Sequence, residues 1–191
     1  MIPIPWIVRT PVWTQLGPPA ALLTRRNLSR PVLWVAAGSA ASAVGDFLGR
    51  IAAHRVGNNH WVSVIDTPVM FVLYLIALTE WQVAAREKRA FRIGIFVLLV
   101  IYVLLIAFVE DVTTFTRFGA MLCSLTLMGG AIWTLLRRAF ASFHRPLPST
   151  DWFWVIGGLA LYGAVTSVAE PISKILLETG RLDLFTRVYS A

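Results

Sequence analysis

Charged residues are scarce in this sequence, and that scarcity determines its class. Only 14% of the 191 residues are Asp, Glu, Lys or Arg, and 57% are hydrophobic. Soluble domains carry about 25% charged residues. The composition therefore excludes an ordinary soluble domain and predicts an integral membrane protein with a single domain.

Cysteine and histidine are also scarce. The single cysteine, Cys123, excludes an intramolecular disulfide, and its apolar surroundings predict a small buried hydrophobic side chain. The three histidines, His54, His60 and His144, are too few and too scattered for a zinc-ligand pattern. No motif supplies an activated serine or a matched pair of intramembrane acids. We therefore predict no metal, no catalytic residues and no cofactor, although a bound lipid or a partner's pigment fits this composition.

Acidic residues number 10 against 17 Lys and Arg, which gives a net charge of +7. Such a balance can indicate nucleic-acid binding. Here the basic residues stand in short segments between apolar runs, where they set membrane orientation instead. The sequence therefore favours membrane lipids and other transmembrane subunits as partners, and no nucleic acid.

Long apolar runs are what the sequence does have. Ile93 to Val109 contains seventeen residues without a charge or an amide side chain, and a helix needs about 20 residues to cross a bilayer. Four further runs resemble it. The pattern predicts an all-α bundle of five transmembrane helices, over about 31–53, 60–81, 92–110, 115–136 and 152–177.

The segments before and after the five runs are not predicted to cross the membrane, because prolines interrupt the first and the second is short and charged. Residues 1–30 contain five prolines and no basic start, so they do not read as a signal peptide. Trp6 and Trp13 alternate there with aliphatic residues, which favours a segment on the membrane surface or an extended tail. Residues 178–191 mix charges with apolar residues and predict a short amphipathic tail.

The first predicted helix is poor in bulky side chains. Ala41, Gly45 and Gly49 form a row at four-residue spacing, and such rows let helix backbones approach closely. We therefore predict that this helix is the packed centre of the bundle. Pro68 lies inside the second helix and predicts a kink, and Pro171 lies inside the fifth and predicts a kink or a break.

Orientation follows from the positive residues. With the N-terminus in the cytoplasm, eleven of the 17 Lys and Arg residues fall on that side and six on the other, which predicts N-in and C-out. Seven tryptophans then lie near the inner interface and one, Trp61, near the outer. The seven are Trp6, Trp13, Trp34, Trp81, Trp133, Trp152 and Trp154.

With this orientation, a group of polar residues falls towards the outer side of the membrane. Ionisable groups inside a membrane are costly, so they are a functional-site hypothesis by default. A purely structural polar layer, with each acid beside a base, is the competing interpretation. The residues concerned are Asp46, Arg50, Asn59, His60, Asp66, Glu110, Asp111, Glu170 and Lys174.

Two short stretches carry a resemblance. They are Asn58-Asn59-His60-Trp61 followed by Thr67-Pro68, and Phe153-Trp154 followed by Gly157 and Tyr162. Together they resemble a family of small, uncharacterised bacterial polytopic membrane proteins. The resemblance covers two of the five helices and implies a multi-pass protein of the bacterial inner membrane. It implies no function.

Three functional classes remain. The first is a non-catalytic accessory subunit of a larger bacterial membrane complex, for instance a respiratory or photosynthetic energy-converting one. The second is a small-ligand or ion binding or transport protein that uses the outer acidic cluster. The third is a membrane enzyme. Small size and many small and aromatic residues suited to helix contacts favour the first.

Overall fold

A computed structural model describes residues 29–56, 60–110, 118–141 and 150–178. Helix is the only regular secondary structure within these ranges. The five helices are α1 (Arg30–Val56), α2 (His60–Trp81), α3 (Ala85–Phe108), α4 (Phe118–Ala141) and α5 (Asp151–Glu178). Each is long and apolar enough to cross a membrane. The structure thus confirms the predicted all-helical class and the number of such helices. Of the two predicted terminal segments, 1–30 and 178–191, the structure describes only Ser29, Arg30 and Glu178.

The helix boundaries agree best for α2, which was predicted over the same residues. The third helix was predicted from residue 92, but α3 begins seven residues earlier, at Ala85. The segment from Arg86 to Arg92 is helical because Arg, Lys, Glu and Ala are strong helix formers. Its charges therefore do not end the helix. For the same reason α4 continues past Arg137 to Ala141.

The proline in α5 does not end that helix. Pro171 was predicted to kink or break it, and α5 runs through Pro171 to Glu178. Pro68 likewise stands inside a continuous α2. A transmembrane helix tolerates proline where neighbouring groups satisfy the backbone carbonyl that the proline leaves without its donor.

The packed centre of the bundle is α2, not α1 as predicted. Helix α2 packs against α1, α3 and α4, whereas α1 packs mainly against α2, and α5 packs on α4. The largest buried side chains include Phe71 and Leu78 of α2 with Leu127 of α4 and Ile156 of α5. Small residues on α1 allow one close contact, but bulky residues on α2 fill the space between three neighbours.

Candidate functional site

The seam between α1 and α2 is built on two glycines of α1. Gly38 lies under the ring of Tyr74, where an added Cβ would be 2.7 Å from Cδ1. Gly45, two turns further on, lies under the carboxyl group of Asp66, which a Cβ would overlap. The Ser39 and Tyr74 hydroxyls are 3.3 Å apart and share a hydrogen bond. At both positions a side chain of the facing helix occupies the space that a Cβ would take, so glycine permits the close contact.

Two of the predicted acids meet at this seam. The carboxyl group of Asp66 is half-buried between the helices, and Asp46 is exposed at the rim, close enough to interact with it electrostatically. Arg50 follows one turn after Asp46 and is also exposed. The seam therefore holds two acids and one base towards the end of the bundle where α1 ends and α2 begins.

The predicted small-residue row continues along the seam. Gly49 is buried like Gly45, and Ala41 is half-buried. Gly38, which the sequence interpretation did not single out, makes a contact as close as that of Gly45. Its signal was its place seven residues before Gly45, which is two helical turns.

The other predicted polar residues lie elsewhere or outside the description. His60 begins α2, is half-buried, and its carbonyl accepts a 2.7 Å hydrogen bond from the Ser63 hydroxyl. Glu110 follows α3 and accepts a hydrogen bond from the backbone N–H of Phe118 at the start of α4. That contact suits an acid at a positive helix N-terminus. Glu110 thus joins two helices rather than the seam.

The structure does not describe the side chains of four predicted site residues. Asn59 and Asp111 lie outside the described residues. Glu170 and Lys174 belong to α5, but their side chains are not among those described. Helix α5 packs on α4 rather than on α1. Among the predicted residues whose side chains the structure describes, Asp46 and Asp66 meet at the α1–α2 seam, and Glu110 lies between α3 and α4.

A hydrogen bond beside Pro68 was missed by the sequence interpretation. Pro68 has no N–H, so the carbonyl of Val64, four residues earlier, lacks its usual helical donor. The Tyr102 hydroxyl of α3 donates to that carbonyl at 2.9 Å. A tyrosine inside an otherwise aliphatic run, opposite a helix with an internal proline, was the available signal. The bond fastens α3 to the N-terminal part of α2.

An apolar groove opens next to this bond, between α2 and α3. It encloses about 670 Å³ and is lined on α2 by residues around Pro68 and on α3 by Leu99, Tyr102 and Val103. Its walls are aliphatic apart from Tyr102. Such a groove can hold hydrocarbon but offers little that would orient a polar substrate.

The opposite end of the bundle carries a second polar cluster. Buried Gln82, just after α2, donates to the Thr134 hydroxyl of α4 at 2.7 Å and to the Leu78 carbonyl at 3.0 Å. Arg138 donates to the Trp81 carbonyl at 2.8 Å, which satisfies a backbone group at the end of α2. These bonds tie the C-terminal ends of α2 and α4 together.

An ion pair extends this cluster to α3. The guanidinium of Arg137 binds the carboxylate of Glu87 with a nitrogen–oxygen distance of 2.6 Å, and it lies 6.0 Å from the ring centre of Trp133. Arg138 lies 5.4 Å from the ring centre of Trp152. The sequence interpretation used these arginines only for orientation, because their hydrogen-bonding partners, Glu87 and the Trp81 carbonyl, lie 50 and 57 residues away.

The six tryptophans in the described ranges divide by burial. Trp34, Trp61, Trp133 and Trp154 are exposed, as an interfacial belt requires, and Trp152 is half-buried. Trp81 is only 4% exposed and belongs to the core. Helix α4 covers the end of α2 at Trp81, and the interfacial position of this residue stays a prediction. Trp6 and Trp13 lie outside the described residues.

The contact of α4 with α5 depends on a third glycine. A Cβ on Gly163 would be 2.8 Å from the Ser124 carbonyl oxygen and 2.9 Å from the Met128 nitrogen. The hydroxyls of Thr166 and Ser124 form a 3.0 Å hydrogen bond next to it.

Within the described ranges, no three His, Cys, Asp or Glu side chains are grouped as metal ligands would be.

Comparisons with protein-family models, curated proteins and solved structures found no match to this chain. The resemblance carried by the His60–Pro68 and Phe153–Tyr162 stretches therefore stays a prediction.

Proposed function

We propose that this protein is a non-catalytic accessory subunit of a larger complex in a bacterial inner membrane. It would act through helix–helix contacts, and its N-terminus would lie in the cytoplasm. The observation that carries this proposal is the outward face of α1, which exposes Asp46 and Arg50 beside Phe47. Charged residues on transmembrane helices normally face the protein interior or water.

The depth at which Asp46 would lie in the membrane is the reason why its exposure supports a partner subunit. The 27 residues of α1 span roughly 40 Å at 1.5 Å per residue, so about 5 Å would project at each end of a 30 Å hydrocarbon core. Asp46 lies ten residues before the end of α1, which puts it roughly 10 Å inside the core. Arg50 can extend to the interface through its long side chain, but an aspartate cannot reach so far. A polar helix from another subunit would cover this face.

A photo-crosslinking amino acid at Phe47 tests the proposal in native membranes. We expect a discrete protein adduct and co-migration of the chain with a large assembly after gentle detergent extraction. The same amino acid at Leu161, an exposed residue of α5, is the matched control and should yield lipid adducts. Lipid adducts alone at both positions, with a chain that migrates by itself, would contradict the proposal.

Cysteine labelling tests the orientation. In a Cys123→Ser background, Val83→Cys lies after α2 and Val109→Cys after α3, and both native side chains are exposed. We expect an impermeant reagent to label position 83 from the cytoplasm and position 109 from outside. The reverse pattern would show that the excess of positive residues was assigned to the wrong side.

A second candidate is cation binding at the α1–α2 seam, which is favoured by the electrostatic interaction of Asp66 with Asp46. Two neighbouring carboxylates in a region of low dielectric attract a proton or a metal cation. In that case Na⁺ or Ca²⁺ should raise the unfolding temperature of the purified chain, and Asp66→Asn should remove the increase. An unfolding temperature independent of both ions would exclude this candidate.

A further inference from the structure

The N-terminal turns of α3 carry a cluster of positive charge that the fold leaves on the outside. Arg86, Arg89 and Arg92 are exposed and Lys88 is half-buried. With Glu87 included, the first two turns have a net charge of +3, since four basic residues stand against one acid. We call Arg86, Lys88, Arg89 and Arg92 the basic face.

The helical positions of these residues place them away from the bundle. At 3.6 residues per turn the basic face covers a sector of about 160°. The opposite sector carries Glu87, Phe91, Leu98 and Tyr102. Leu98 and Tyr102 are buried, and Phe91 packs against the core. Glu87 binds Arg137 of α4, so its negative charge is directed into the bundle and engaged there.

The outward sector continues along α3 as an apolar surface. Ile93, Phe96, Val100 and Val103 follow the basic face on the same side, and all four are exposed. From Arg92 to Val103 this surface runs for roughly 16 Å at 1.5 Å per residue. That length is close to one leaflet, since the whole hydrocarbon core is about 30 Å thick.

The start of α3 adds to the positive potential. Ala84, at the N-cap position, supplies no side-chain hydrogen bond to the first turn. The backbone N–H groups of that turn and the helix dipole both favour an anion. The charged end and the apolar surface together match the two parts of an anionic phospholipid, a phosphate headgroup and an acyl chain.

We propose that the outward face of α3 is a binding site for an anionic phospholipid. Its phosphate contacts Arg86, Arg89 and Arg92, and one acyl chain lies along Phe96, Val100 and Val103. Basic clusters at the ends of transmembrane helices attract anionic lipids in this way. The site is distinct from the outward face of α1, which we assign to a partner subunit.

Native mass spectrometry of the full-length chain tests this proposal. The delipidated protein is mixed with phosphatidylglycerol or with phosphatidylcholine of the same acyl chains, and the bound lipid is counted. We expect the wild-type chain to retain phosphatidylglycerol preferentially. The combined variant Arg86→Gln, Arg89→Gln and Arg92→Gln should bind it at least about tenfold more weakly, because each charge near a headgroup contributes about fivefold.

Two matched variants separate the specific site from a general charge effect. Arg86→Lys, Arg89→Lys and Arg92→Lys preserve the charge and should retain most of the binding. Arg30→Gln with Arg55→Gln removes two exposed positive charges from α1 and should leave phosphatidylglycerol binding unchanged. The unfolding temperature of each variant shows whether the bundle is intact.

Three results would overturn the proposal. The first is equal binding of phosphatidylglycerol by the wild-type chain and the α3 Gln variant. The second is equal retention of the two lipids by the wild type. The third is a crosslink from Phe96 to an acidic helix of another protein in native membranes, which would assign this face to a protein partner instead.

Discussion

Helix α1 is less apolar than α3 but is packed more closely within the bundle. Helix α3 contains the most apolar run of the chain, yet 11% of its membrane-spanning window is buried, against 39% for α1. Helix α1 is rich in Ala, Gly and Ser and approaches α2 at Gly38 and Gly45. Inside a membrane lipid tails are as apolar as leucine, so close packing rather than hydrophobicity brings helices together.

The comparison also shows two ways to fasten a helix. The α1–α2 seam depends on space that glycines leave for Asp66 and Tyr74. Helix α3 has two buried side chains, Leu98 and Tyr102, together with the Tyr102 bond to Val64 and the Glu87–Arg137 ion pair. Removing space should therefore damage the seam, whereas removing a single polar contact should loosen α3.

The largest effect should come from filling the seam. Gly45→Leu forces a side chain into the volume of the Asp66 carboxyl group, so we expect a loss of about 3 kcal/mol or more, at the upper end of overpacking effects. Gly94→Leu is the control, because open space surrounds Gly94; it should change stability by less than about 0.5 kcal/mol. Folded yield on size exclusion and thermal unfolding in a mild detergent measure both. Equal yields and stabilities would remove the seam from the account.

A smaller effect should follow loss of the α3 hydrogen bond. Tyr102→Phe leaves the Val64 carbonyl without that donor and should cost about 1 kcal/mol, since hydrogen bonds between transmembrane helices average about 0.6 kcal/mol and reach about 1.7. Pro68→Ala restores the helical donor for the same carbonyl. In that background Tyr102→Phe should cost close to nothing. A double-mutant cycle measures this coupling, and additive losses would show that Tyr102 does not compensate for Pro68.

The smallest effect should come from the exposed charges of α1. In the purified, detergent-solubilised chain no partner covers the face that exposes Asp46 and Arg50. If they form the predicted pair one turn apart, it should contribute no more than about 1 kcal/mol there. Asp46→Leu with Arg50→Leu should then be more stable than Asp46→Leu alone, measured by unfolding of the purified chain. No recovery in the double variant would mean that the two residues are not partners.

The features that depend on long runs of apolar residues could be predicted from the sequence. Five apolar stretches predicted five helices, and the limits of α2 were correct because polar residues stand directly outside it. The start of α3 was placed too late because a charged segment was taken for a loop. A change in hydropathy marks where a helix leaves the hydrocarbon, but it does not mark where the helix ends.

Contacts between distant residues were beyond the sequence interpretation. Gln82 and Thr134 are 52 positions apart, and nothing in either local pattern indicates the other. The Asp46–Asp66 neighbourhood could be anticipated from the sequence, since the two residues lie at similar distances from the connection between consecutive helices α1 and α2. The separation of Glu110 from that seam could not, because depth alone does not tell which helices touch.

A lipid-accessibility scan tests the contrast between α1 and α3 most directly. Single spin-labelled cysteines along each helix, in a Cys123→Ser chain in lipid bilayers, report collisions with oxygen dissolved in the hydrocarbon. We expect protection on α1 at Ala41 and Ser42, which border the seam without filling the space above its glycines, but not at Val44 and Phe47. On α3 we expect accessibility around most of the helix except near Leu98 and Tyr102. Uniform accessibility along α1, or an α3 protected on all sides in the isolated chain, would contradict this expectation.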